Sequence, residues 1–207
     1  MILRVSILFL CVAAMAVATP LVSAQAIVRV EEDWELVVKQ PDTSCTAPQV
    51  TCVISPVDHA HALHMAFEIN HRTQPRYASG GMQVQLWDGE RLVSHQDSPH
   101  TSLLQHLGET VRWTQCMQLQ EGKLLFEIVK GSSTTWGTFG GQGYLKLAAD
   151  TSLTDLGRYR TSVSLANSGM GYAANRVSQL MLKEVRVYTA KGLYATSAEA
   201  VTLRRLE

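Results

Sequence analysis

The chain has no surplus of either charge: 18 Lys and Arg stand against 18 Asp and Glu. No basic stripe breaks that balance. Nucleic acid is therefore excluded as a partner, since phosphate recognition needs a concentrated positive surface. Helical periodicity is nearly absent, which removes helical bundles and coiled coils. There is no HExxH, no GxSxG and no P-loop, so the metal-protease, nucleophile-elbow and nucleotide-hydrolase signatures are all missing. No strand carries the dense Glu-x-Asp-x-x-Glu pattern of jelly-roll glycosidases, whose chemistry needs two carboxylates close together on one surface. None of the four cysteines lies in a CxxC-like pair, so the spacing of a structural zinc site is missing too. These absences leave catalysis open but make a non-enzyme the stronger expectation.

What is present begins with a leader. Arg4 is the only charge ahead of Arg29, an apolar run extends from Val5 to Ala18, and Val22-Ser23-Ala24 precedes Gln25. A charged start, an apolar stretch and small residues before a cut define a secretory signal peptide over residues 1–24. The run is short of the ~20 apolar residues a membrane span requires, and no stable span is expected after cleavage. Leu10 before Cys11 is too bulky for a lipid-anchor site. The expected location is secreted, periplasmic or cell envelope, with one domain over 25–207. Its core would span about 27–190, with a loose tail after Tyr194. Cys45, Cys52 and Cys116 remain after processing. An oxidising compartment allows a disulfide. Cys45 and Cys52, which enclose Pro48, are the expected pair, worth roughly 2–3 kcal/mol. Cys116 reads as a small buried strand residue.

Alternation dominates the rest. Leu63, Met65, Phe67 and Ile69 share one strand face; His64, Ala66 and Glu68 share the other. Met82, Val84 and Leu86 alternate with Gln83, Gln85 and Trp87, and Val111, Trp113, Met117 and Leu119 alternate with Arg112, Thr114, Cys116 and Gln118. In the last long strand, Val177 to Tyr188, the apolar phase slips between Leu182 and Val185, which marks a bulge. Turn residues such as Asp88-Gly89, Glu121-Gly122 and Lys191-Gly192 separate the runs. About ten short strands, each with one apolar and one polar face, predict an all-β antiparallel sandwich. Only Thr151 to Gly157 could hold a helical turn.

Several segments carry a resemblance: Gly80-Gly81-Met82-Gln83-Val84-Gln85-Leu86-Trp87, Trp113-Thr114-Gln115, Thr135 to Gly141, Asn167-Ser168-Gly169, and the strand ending Val185-Arg186-Val187-Tyr188. Across residues 30–190 the chain resembles a group of secreted bacterial proteins that supplies no activity to carry over. Its closing pattern is also similar to concanavalin-A-like and laminin-G-like sandwiches, which implies a jelly roll and a lectin-like role.

Two groups of candidate ligands follow. His59 and His61 are two residues apart, so on a strand they share a face and could grip a metal, with Asp58 or His71 as a third ligand. Trp136 lies in a Gly/Ser/Thr-rich stretch, where an exposed ring could stack on a sugar. Trp87 shares a face with Gln83 and Gln85, and Asn70, His71 and Arg72 form a polar turn; together these are the expected sugar-binding residues. No cofactor is expected. Calcium is possible through Asp88, Asp150 and Asp155, but their spacing matches no calcium loop. Tyr188 to Tyr194 resembles the Tyr/Lys/Gly/Tyr strand of jelly-roll alginate lyases, which implies Tyr188 as base and Lys191 as carboxylate partner, with the Lys displaced by one place.

The expectation is a secreted non-catalytic binding module whose partner is a glycan. The alternatives are a structural or extracellular-protein-binding envelope component and a polysaccharide lyase.

Overall fold

The computed structural model describes residues 25–39, 50–57, 63–69, 81–102, 104, 106–164, 177–198 and 200–205. Among these residues there is no helix, and none long and apolar enough to cross a membrane. Among the described residues thirteen strands form two antiparallel sheets. Sheet A contains β1 (Ile27–Val38), β6 (Thr110–Gln120), β7 (Lys123–Ser133), β8 (Gly137–Phe139), β9 (Lys146–Asp150), β11 (Val177–Thr189), β12 (Gly192–Ser197) and β13 (Val201–Arg205). Its order is β12-β11-β1-β6-β7-β8, with β13 also on β11 and β9 also on β7. Sheet B contains β2 (Val50–Ser55), β3 (Leu63–Ile69), β4 (Met82–Asp88), β5 (Arg91–Asp97) and β10 (Arg160–Ser164), in the order β10-β2-β3-β4-β5.

The architecture is the antiparallel β-sandwich that the alternation predicts. One core lies between the sheets, where Trp34, Leu36, Val111, Trp113, Met117 and Phe126 of sheet A meet Cys52, Ile54, Met65, Phe67, Val84 and Leu86 of sheet B. Trp34 and Trp113 face each other across the β1–β6 ladder and stack with centroids 6.0 Å apart, and Phe67 meets Trp113 edge-on at 5.5 Å. Such contacts add about 1 kcal/mol each to the burial itself. The β6–β7 hairpin closes on Glu121 and Gly122, both at positive φ, the backbone of a two-residue primed turn.

Four expectations need correction. The strand count exceeds ten because β5 is a polar edge whose residues alternate between exposed and half-buried, leaving no apolar periodicity to find. The described residues after Tyr194 are not a loose tail: they complete β12 and form β13, both paired with β11. Cys52 is a free thiol in the core of β2, fully buried, and Cys45 lies outside the described residues. Its strand phase turns the Cys52 side chain inward with Val50 and Ile54, so packing, not cross-linking, fixes it. Thr151 to Gly157 holds no helical turn.

Candidate functional site

The outer face of sheet A is built in rows. Because β1 is antiparallel to both β11 and β6, residues in register stand side by side. One row reads Arg186, Glu31, Cys116, Glu127; the next reads Glu184, Asp33, Thr114, Lys130. A third places Glu35 beside Arg112 and Ser132. Arg186 organises the first two. Its guanidinium donates to both carboxylate oxygens of Asp33, at 2.6 and 3.1 Å, to Glu31 Oε2 at 3.0 Å, and to Glu184. Arg29 and the Tyr188 hydroxyl add donors to Glu31, and Thr114 donates to Asp33. Burial alone would raise both carboxyls, yet these donors outweigh it and hold Glu31 and Asp33 below the usual carboxylate range.

Two hollows open on this face. One, of about 480 Å³, is lined by Asp33, Glu35, Thr114, Lys130 and Lys183. The other, of about 440 Å³, is lined by His106, Glu109, Thr110, Ser133 and Thr134. Arg112 and Ser132 line both, so the two hollows adjoin along the face as the halves of a shallow groove. Each has the size of an ordinary ligand site.

Two β-bulges shape the first hollow. In β11 the register jumps from Glu184 opposite Asp33 to Leu182 opposite Trp34, leaving Lys183 as the extra residue. This is the bulge that the apolar phase slip predicts. In β7 the register jumps from Ile128 opposite Gln115 to Lys130 opposite Thr114, with Val129 extra. The second bulge shifts the strand's phase so that Lys130, not Val129, takes the outward place beside Thr114. Bulges re-aim side chains and concentrate near functional sites; here both fall on the Asp33–Thr114 row.

The sequence-predicted ligands are arranged differently. Trp87 Nε1 donates to Gln85 Oε1 at 2.8 Å, Gln85 Nε2 to Gln83 Oε1 at 2.5 Å, and Gln83 Nε2 to Asp97 Oδ1 at 2.5 Å. The three do share the outer face of sheet B, but Gln83 and Gln85 are buried and engaged with their neighbours. Trp136 is 5% exposed, donates to the Ser102 carbonyl at 2.8 Å and packs edge-on against Phe139. This corrects its reading as a sugar-stacking residue. Glu109 binds the Thr135 backbone and hydroxyl while Ser133 accepts from the Trp136 N–H, and that pinned turn points the ring inward. Asn70, His71, Arg72, His59 and His61 lie outside the described residues, and among those described no group of three metal-ligating side chains occurs. Asp88 pairs with Arg91, Asp150 with Lys123, and Asp155 accepts from the Ile27 and Gly157 N–H groups. Burial and the Glu31 carboxylate raise the Tyr188 phenol above its ordinary value, which opposes its service as a lyase base.

Sequence reasoning missed two features. Glu31, Asp33 and Glu35 alternate on the outer face of β1. Between them Glu32 turns inward and is fully buried. Its Oε2 accepts from Gln115 Nε2 at 2.7 Å, Trp34 Nε1 at 3.0 Å and Thr161 Oγ1 at 3.1 Å, while its Oε1 has no partner. Burial pushes this carboxyl up to about 7 despite the three donors. Burial followed by the charge of Glu32 likewise raises the Cys52 thiol, and it lifts the Tyr159 phenol to about 12.

No family model and no curated protein matches this chain. Among solved structures it is similar to a scytalido-glutamic peptidase with a peptide-based transition-state analogue. That likeness has a TM-score of 0.39 and 10% identity, over 87% of this chain and 85% of the other.

Proposed function

We propose that this protein is a secreted, non-catalytic binding protein that takes up an extended glycan along the outer face of sheet A. The observation that supports this is that the two hollows adjoin at Arg112 and Ser132. Two joined hollows suit a chain ligand better than a compact one. Hydroxyl-bearing Thr110, Ser132, Ser133, Thr134 and Thr138 line them, and hydroxyls donate and accept as sugar hydroxyls require. The proposed location, secreted or in the cell envelope, rests on the leader sequence. The test is a screen of soluble polysaccharides with the mature chain, run beside Arg112→Ala. Saturable binding weakened by that substitution supports the reading; no binding to any polysaccharide removes it.

A hydrolytic reading is favoured by one observation: Glu31, Asp33 and Glu35 stand in line on β1, with successive carboxylates roughly 7 Å apart by strand geometry. Glycosidases use carboxylate pairs at comparable separations. They also need a carboxyl that keeps its proton, whereas Glu31 and Asp33 are held below the usual range. Release of reducing ends, abolished by Asp33→Asn and Glu35→Gln, would establish hydrolysis in place of binding.

A further inference from the structure

The carboxylates that line the groove are already engaged. Asp33 is clasped by Arg186 and Thr114, Glu35 accepts from Arg112 Nε at 2.8 Å, and Glu109 is held by Thr135. Lys130 and Lys183 are exposed, line the same hollow, and make no ion pair among the described residues, although the charge of Lys130 adds to the hold on Asp33. They stand on opposite banks, on β7 and β11, with β6 and β1 between them. Three strand spacings put the two strands roughly 14 Å apart. Arg112 lies farther along, and the donors it does not give to Glu35 have no protein partner among the described residues.

Each lysine owes its position to a bulge. Without the extra residue at Val129, the outward place beside Thr114 would be apolar; without the extra residue in β11, Lys183 would not exist as a break in the ladder. Two independent irregularities in two strands deliver the same charge to the same hollow. The acidic side chains between them already accept from Arg186, Arg112 and Thr114, whereas the two ammonium groups form no ion pair among the described residues.

We infer that the groove selects an acidic glycan, one bearing carboxylate or sulfate groups that Lys130, Lys183 and Arg112 receive. This inference rests on the glycan reading and narrows it. The attraction comes from exposed charges, so it weakens as salt is added.

The experiment compares polygalacturonate with its fully methyl-esterified form, which keeps the backbone and removes the charge. Both are titrated into the mature chain, into Lys130→Ala/Lys183→Ala, and into Lys130→Arg/Lys183→Arg. The expected result is binding of the acidic polymer at least tenfold tighter than of the ester. That preference should be lost in the alanine variant, retained in the arginine variant, and reduced by added salt. Equal binding of both polymers, unchanged in the alanine variant, overturns the charge selection while leaving the glycan reading intact. Binding only of neutral polysaccharides does the same. Binding of no polysaccharide at all removes both.

Discussion

Gln115 donates a 2.7 Å hydrogen bond to Glu32 across the β1–β6 ladder, and both side chains lie fully buried on the core side of sheet A. A carboxyl in that position favours its proton. With Oε2 taking all three donors, the proton belongs on Oε1.

The pH dependence follows in sign. The folded-state value, about 7, lies above the ordinary 4.5. The folded chain therefore holds a proton that the unfolded chain has released. The contribution is complete below the ordinary value and is lost as pH rises through about 7, amounting to about 3 kcal/mol. Denaturant unfolding at pH 5 and pH 8 should show that loss, and Glu32→Gln should flatten it. A Glu32→Gln variant with the same pH slope as the parent would show that the slope has another source.

The outer cluster responds in the opposite direction. Glu31 and Asp33 are held below the usual range, with Arg186 among the groups that hold them there. Their contribution is present above the ordinary carboxylate values and disappears as pH falls through the depressed ones. Arg186→Met leaves three carboxylates on one half-buried patch and should cost about 2 kcal/mol at pH 7. The cost should shrink near pH 3, where the carboxyls are protonated. Equal destabilisation at both pH values would mean that the loss is one of packing alone.

Gly131 makes room for an aromatic ring. A Cβ there would sit 2.1 Å from the Phe139 ring, which is itself buried. Gly131→Ala should destabilise by about 1–3 kcal/mol through overpacking, with much of the loss recovered when Phe139→Leu is added. Thermal unfolding of the two variants measures this. Additive losses would contradict the contact.

The thiols should be silent in the folded state. Burial raises Cys52 and pushes Cys116 up to about 11, and both are free and buried. Alkylation at pH 8 without reductant, followed by peptide mass analysis, should leave both unmodified until denaturant is added. Failure of Cys52 to label even when unfolded would reveal a disulfide.

The fold was legible where apolar side chains recur at every second position. β3 and β4 alternate in this way, β6 does so except at Gln115, and the β11 bulge shows as a break in phase at Leu182. β12 was not legible, since an edge strand exposed on both faces needs no alternation, nor was β5, whose half-buried face carries Ser94 and Gln96. The groove was harder still. In Glu31-Glu32-Asp33 three acids in succession conceal that the middle one faces the core. The bulge at Val129 leaves no clear mark in the sequence, because an apolar residue beside Ile128 near the strand's end is ordinary. Trp136 misleads for a related reason: its Gly/Ser/Thr surroundings look exposed, whereas Glu109, distant in sequence, folds the turn inward.

Ser132 lines both hollows, so Ser132→Trp should fill the junction of the groove from an exposed position. The most direct measurement is calorimetric titration of a bound polysaccharide into this variant and its parent, with unfolding followed in parallel. The account predicts at least a tenfold loss of affinity at unchanged stability. Unaltered affinity in a folded Ser132→Trp protein would mean that no glycan lies in this groove.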